Sequence, residues 1–429
     1  MTNPIASAAR ELTGGPQDYD ALLELVGDAR FVLIGEASHG THEFYRERAR
    51  ITKRLVTEKG FNAVAIEGDW PSAFRVNRYV RAASEDKTAI AALDDFARFP
   101  TWMWRNADVV EFVEWLRGHN GSLPAARRTG FYGLDLYSLY HSMAAVVSYL
   151  ERADPPAAKR ARSRYACFDH YGQDSQSYGY ATAFGASKSC EDEVVAQLVE
   201  MQSKTGQDDD FFDPQQNARL VKNAEEYYRS MFTSRESSWN LRDAHMVETL
   251  EAVASRLSSE SAAKIVVWEH NSHIGDARAT EMGQRDEWTV GQLVRERHGK
   301  QCLLVGMTTY RGTVTAASDW DAPAERKRVR DALPGSYERL FHESGPQHFL
   351  LPLRGEGPAV RLLSEPRLER AIGVVYMPQT ERYSHYFRAL LPGQFDAVLH
   401  WDETRALEPL ERTAQWETGE APETYPVGV

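Results

Sequence analysis

An α/β fold, a three-layer core with a mostly parallel sheet and a helical insertion, is predicted by three features of the 429-residue sequence. Short apolar, β-branched runs recur along the chain, helical stretches separate most of them, and one long interval is poor in strands. Uninterrupted apolar runs suit strands covered on both faces. Helical spacers between such runs suit the βαβ units of a parallel sheet.

The runs begin with Phe31 to Gly35, Asn62 to Glu67, Thr129 to Asp135 and Lys264 to Glu269, each set off by a helical or polar interval. They continue with Cys302 to Gly306, His348 to Pro352, Ala371 to Tyr376 and Phe395 to His400, whose closer spacing admits antiparallel pairing. Between Leu136 and Glu260 the stretches Tyr137 to Arg152, Glu191 to Ser203 and Pro214 to Arg256 read as helices. Breaks fall at Ala153-Asp-Pro-Pro156 and along Ser203 to Asp210. The expected organisation is a discontinuous α/β catalytic core (1–136 and 261–408), a helical insertion roofing a cleft (137–260) and an extended surface tail (409–429). No internal repeat is visible.

The length allows a large core, and 42 % apolar, 11 % aromatic and 26 % charged residues are globular proportions that leave no room for extensive disorder. A net charge of −12 argues against a surface that tracks phosphates, so neither nucleic acid nor an anionic membrane is an expected partner. A small-molecule substrate is. Cys167, Cys190 and Cys302 are too few and too scattered for a disulfide framework or a thiolate zinc cluster. The N-terminal residues lack the basic segment and apolar run of a signal peptide, and no apolar stretch approaches the ~20 residues of a spanning helix. A soluble cytoplasmic protein is expected, its oligomeric state open.

Ligands of open α/β sheets bind beyond the carboxyl ends of the strands. Here those ends carry Glu36 and His39, Glu67, Asp135, and Glu269 with His270 and His273. Clustered titratable groups perturb one another, the usual condition of a catalytic site. Glu36 and Glu67 follow apolar strands directly, so each needs a fixed partner or performs acid-base work. Asp135 alone also suits a helix cap. His39, in a Gly-flanked turn, is the leading candidate for a general base, with a helix-capping histidine as the competing role. Arg46 and Arg48 follow on a helix with Glu43 and Glu47. Most of these charges suit a solvated face, but an arginine there can reach back toward a developing oxyanion.

His270 and His273 are three apart and can face one cavity, with Asn271 and Asp276 placed to orient them. Together with Glu36 and Glu67 they also offer donors for a metal. The zinc-protease helix pattern and the nucleophile elbow are both absent, which leaves Ser38 a weak nucleophile. Trp102, Trp104 and Arg105 suit the wall of an apolar ligand site or core packing alike. Arg382 and His385 lie in a polar stretch read as a substrate loop. Tyr165 to Tyr180 reads as a lid or an irregular connection.

These residues resemble the erythromycin esterase family: the Gly35-Glu36-x-x-His39-Gly40 turn, Arg48, Glu67 and the late His270-x-x-His273 pair, within a likeness covering about residues 20 to 405. The resemblance implies a three-layer α/β core, a deep cleft partly roofed by helices, and hydrolysis of a macrolide lactone without a covalent serine intermediate. It implies that His39 deprotonates water while Glu36, Glu67, Arg48, His270 and His273 position water and substrate or steady the transition state. Substrate contacts are expected from Trp102, Trp104, Arg105, Asp135, Arg382 and His385, with no metal and no cofactor. Two other readings stand beside this ester or lactone hydrolase: a metal-dependent hydrolase using the same cluster, and a non-enzymatic haem- or ligand-binding protein.

Overall fold

The computed structural model describes residues 3–204, 209–258 and 262–419. Eleven strands are numbered in chain order. They are β1 (Arg10–Glu11), β2 (Phe31–Ile34), β3 (Ala63–Asp69), β4 (Gly130–Asp135), β5 (Ile265–Trp268), β6 (Cys302–Ala316), β7 (Glu325–Val329), β8 (His348–Pro352), β9 (Arg367–Arg370), β10 (Tyr386–Ala389) and β11 (Ala397–Thr404). Nine form one sheet in the order β1-β8-β11-β6-β2-β5-β3-β4, with β7 beside the outer half of β6, and β9 and β10 form a separate antiparallel pair. The run from β11 to β4 is parallel throughout, while β8, β1 and β7 join antiparallel.

Strand alternation splits the core in two. Phe31, Leu33, Ile265 and Val267 pack into one apolar layer with the helices Leu139–Ala153, Asp209–Ser230 and Arg235–Leu257. Val32, Ile34, Val266 and Trp268 pack into the other with His42–Lys59, Trp70–Val80 and Ala107–Gly121. Three layers follow because the parallel strands are apolar on both faces. Because β2, β3, β4 and β5 run the same way, their carboxyl ends meet along one edge of the sheet, where Glu36, Glu67, Asp135 and His270 stand.

Three local expectations are corrected. Ala371 to Tyr376 is not a strand of the sheet: Ile372 bridges Ser38 and Val375 bridges Ala317, one residue each, as the segment crosses over the turn that follows β2. Pro214 to Arg256 is two helices, Asp209–Ser230 and Arg235–Leu257, the second capped by the Ser234 side chain. The tail is not extended throughout. Ala414–Thr418 is helical, and Trp416, buried against the sheet, donates to Thr315 Oγ1 at 2.7 Å. Residues 420–429, and 205–208 of the expected loop, lie outside the described residues.

Cys167 and Cys190 are joined by a disulfide with a Cα–Cα distance of 6.0 Å. Spacing alone does not reveal it, because the helix Pro155–Tyr165 must first fold back beside Glu191–Ser203. No described helix is long and apolar enough to cross a membrane.

Candidate active site

The turn after β2 is set by close approach. A Cβ on Gly35 would lie 2.1 Å from Asn271 Oδ1, and one on Gly40 1.8 Å from the Thr315 carbonyl oxygen, so only glycine fits either place. The tight path brings His39 Nδ1 to 2.9 Å from Glu36 Oε1. Glu36 Oε2 lies 2.8 Å from Arg48, whose side chain is fully buried in the helix His42–Lys59. The two charges face each other without hydrogen-bond alignment. The guanidinium lies over the rings of Tyr45 and Trp268, at 4.3 and 5.3 Å. Pairing and aromatic faces together allow a charge at that depth. The result is a line from Arg48 through Glu36 to His39.

A second arm enters from the helical side. The register of β3 against β4 shifts between Ile66 and Asp69, a bulge of the kind that re-aims a strand-end side chain, here Glu67. Glu67 Oε2 accepts the His270 backbone N–H at 2.9 Å, and Oε1 accepts from Arg242 at 2.8 Å. Arg242 also donates to both oxygens of Asp135, at 3.0 and 2.7 Å, and to His273 Nε2 at 3.0 Å. With Nε2 accepting, the proton of His273 sits on Nδ1 and is donated to Asp243 at 3.0 Å. Trp239 stacks on the His273 ring with centroids 4.5 Å apart. The ring of His270 stands 4.9 Å from that of His39, and its Nδ1 accepts the Ser272 backbone N–H.

Protonation follows from this geometry. Burial works to lower the pKa of His39, but Glu67 and Glu36 outweigh it and the net shift is upward. Burial and the neighbouring His39 push His270 down to about 3, which keeps it neutral. Glu67 is buried, yet His273, His39 and Arg242 hold its carboxyl well below the usual carboxylate range. Glu269 is the reverse case. Burial and the charges of Glu67 and Asp243 push it far up, and neither of its oxygens has a hydrogen-bond partner among the described residues, so it is a neutral acid.

His39, Glu67, Asp135 and Arg242 line a cavity of about 180 Å³. Phe96, Phe99, Met103, Trp104 and Trp320 add apolar surface to its lining. The cavity opens into a wider groove of about 990 Å³, which shares Asp69, Arg98, Phe99, Tyr137 and Trp320 with it.

Glu36, His39, Arg48, Glu67, Asp135, His270 and His273 therefore meet in one place, and Trp104 joins them on the wall, its indole donating to the Glu67 carbonyl at 3.1 Å. Four expected substrate contacts stand elsewhere. Trp102 is buried in the core under the helix Ala107–Gly121, held through its carbonyl by Asn106. Arg105 is spent on ion pairs with Asp94 and Glu411. Arg382 is exposed on the short helix Glu381–Ser384. His385 packs against Tyr376, accepts the Met377 N–H at 3.0 Å and is pushed down to about 4 by burial. Neither the cavity nor the groove is lined by any of the four. Ser38 is engaged with Thr41, and Asp276 with Arg278 and Arg295.

The sequence reading missed Arg242, Asp243 and Trp239. Its available signal was spacing: Trp239, Arg242 and Met246 share one stripe of a helix whose neighbouring Asn240, Asp243 and His245 are buried polar residues. Among the described residues no three His, Cys, Asp or Glu side chains converge as metal ligands do, because the carboxylates turn toward Arg48, Arg242 and His273 instead.

A parallel α/β sheet with an ordered His, Glu and Arg cluster at its carboxyl edge suits a hydrolase of the esterase type. The family model described as erythromycin esterase matches residues 56–404, and the chain belongs to that family. The matched span begins beyond Glu36, His39 and Arg48. The chain is 24 % identical over 416 residues to "Putative hydrolase YbfO" of Bacillus subtilis (strain 168), covering 89 % of this chain and 85 % of that one. A shorter match, 25 % over 119 residues, relates it to erythromycin esterase type II of Escherichia coli, covering 28 % of this chain and 26 % of that one. Its fold is that of two solved proteins. One is a succinoglycan biosynthesis protein (TM-score 0.77, 21 % identity, 94 % and 97 % of the two chains), the other a mutant of the erythromycin esterase EreC in its open conformation (0.68, 17 %, 92 % and 95 %).

Proposed function

We propose that the protein hydrolyses an ester or lactone of a small molecule, with His39 as general base and no covalent intermediate. Glu36 holds the proton of His39 on Nδ1, which leaves Nε2 to face the cavity and take a proton from water. The hydroxide formed attacks the carbonyl carbon. Arg242, fixed by Glu67, Asp135 and His273 on the same wall, meets the oxyanion as it develops. Collapse breaks the acyl C–O bond, and the imidazolium returns its proton to the departing oxygen. Arg48 acts through Glu36, and His273 with Asp243 acts through Arg242, so these are positioning residues. In this reading the helical stretch 137–260 supplies the roof, because Tyr137 and Arg242 both come from it.

The observation that carries the reading is the approach of two separately ordered groups, a histidine base and a guanidinium, to one small cavity. The family's name makes macrolide lactones one class to test. A panel of macrolides, simpler lactones and acyclic esters, followed by mass for the gain of one water, is expected to yield a hydrolysed product that His39→Ala and Glu67→Ala each reduce by at least ~10²-fold in turnover. Unchanged hydrolysis by either variant, with native melting, rejects the mechanism.

A further inference from the structure

The two connected spaces differ in size and chemistry. Drug-sized ligand sites occupy about 300–1,000 Å³. The inner cavity, at about 180 Å³, falls below that range, while the groove, at about 990 Å³, fills it. The inner cavity has room for a short acyl group and a water. The body of the substrate belongs in the groove.

The groove's walls say what that body is. Trp320 is 51 % exposed and meets Phe99 edge-on at 5.1 Å, directly at the junction of the two spaces. The groove is also lined by Tyr137, Tyr140, Tyr227 and Tyr228, with Ser175 and Gln176. Flat aromatic faces interleaved with hydroxyls and amides suit a saturated ring carrying hydroxyl groups, which stacks on one and hydrogen-bonds the others. Among the described residues, two buried polar atoms behind these walls have no hydrogen-bond partner. Asp69, over nine-tenths buried, lines both spaces with Oδ2 held by Arg98 at 3.1 Å and Oδ1 unpaired, and the Tyr140 hydroxyl is likewise unpaired. Unpaired buried oxygens are costly, and a small turn of either side chain toward the groove would let a ligand's hydroxyl complete the bonding.

Charge narrows the class. Of the four groove aspartates, Asp69 and Asp95 are offset by Arg98 and Arg75, but Asp174 and Asp321 have no ion-pair partner among the described residues. Hydrogen bonds from Ser177 and Gln176 keep Asp174 ionised by holding its pKa down. The groove is net negative and disfavours anions.

We infer that the groove is the leaving-group subsite for a saccharide, neutral or amino-bearing, and that the substrate is its ester with a short acyl chain. Resting on the hydrolase reading above, this deepens it. Water adds across the acyl C–O bond, the acid leaves from the inner cavity, and the sugar hydroxyl, reprotonated by His39, leaves through the groove.

The test compares monoacetylated cellobiose with ethyl acetate and with acetylated glucuronic acid, and separately follows binding of unmodified cellobiose to the full chain by saturation-transfer NMR. The expected kcat/KM for acetylated cellobiose exceeds that for ethyl acetate by at least ~10-fold, with the uronic acid ester the poorer sugar substrate. Trp320→Ala is expected to cut the cellobiose-to-ethyl ratio about tenfold through KM, with Trp320→Tyr restoring most of it, and Tyr140→Phe to cut it about threefold. Cellobiose contacts seen with the His39→Ala protein and lost on adding Trp320→Ala support the subsite even if no ester is turned over, in which case the hydrolase reading fails alone. Esters cleaved with no sugar preference, and no cellobiose binding, overturn the subsite while leaving the hydrolase standing.

Discussion

The two arms of the site are built alike but leave their histidines with different partners. On the sheet side Glu36 engages Nδ1 of His39, and on the helical side Asp243 engages Nδ1 of His273. The far nitrogen separates them. His39 lines the cavity, whereas Nε2 of His273 already accepts from Arg242, under a stacked Trp239. A carboxylate behind an imidazole therefore does not by itself make a base. What counts is whether the other nitrogen is open to solvent and substrate or occupied by a protein cation.

The largest expected effect breaks or upholds that distinction. His39→Ala should lower kcat/KM on a verified ester by ~10²–10⁴-fold, the range of lost general base catalysis, while His273→Ala should cost nearer ~10-fold by loosening Arg242. Equal losses from the two would show that the arms are interchangeable. Next comes the shared guanidinium. Arg242→Ala should lower kcat by ~10²–10³-fold if it meets the oxyanion, with Arg242→Lys recovering part of the charge but not its fork to Asp135 and Glu67. A change confined to KM would instead make Arg242 a ground-state contact.

Arg48→Met sharpens the comparison from the stability side. Arg48 is wholly buried and its loss leaves Glu36 as an uncompensated charge, so chemical denaturation should report about 3–5 kcal/mol lost. Glu36→Leu added to Arg48→Met should regain much of that stability without regaining activity. Within the helical arm the His273–Asp243 pair is the milder case. Asp243 already sits above the usual carboxylate range through burial, so Asp243→Asn should be milder in denaturant.

The same contrast explains what could be read from the sequence. The sheet arm is local: Glu36, His39 and Arg48 lie within one turn and one helix, and a strand running into a Gly-flanked polar turn announces itself. Glu67, Asp135 and His270 were legible for the same reason, as groups at the ends of apolar runs that a parallel sheet aligns. Arg242 and Asp243 sit in mid-helix, where a charged pair looks like any solvated face until the helix is docked. Arg105 and Arg382 failed from the other direction, because side chains next to aromatic or polar clusters were given to the ligand when one is paired within the protein and the other faces solvent. Trp320 was not legible, since its place at the junction of cavity and groove depends on how a loop packs against Phe99.

The smallest expected effect is on pH dependence. Burial alone would lower the pKa of His39, and the upward net shift comes from Glu67 first and then Glu36. The base works only when neutral, so kcat/KM should rise with pH through an inflection above the ordinary histidine value of about 6.5. Glu36→Gln removes one of the two raising charges, so the inflection should move toward acid and a larger share of the remaining activity should survive at pH 6. Stability carries the same sign. A histidine whose native pKa exceeds its unfolded one stabilises the fold fully below the unfolded value and loses that contribution as pH rises through the native one. In Glu36→Gln that loss should therefore begin at lower pH. His273→Ala leaves both charges beside His39 in place and should leave the inflection near its wild-type position. A large acid shift in that variant would show that Arg242, once released, moves against His39 and that the two arms are electrostatically one.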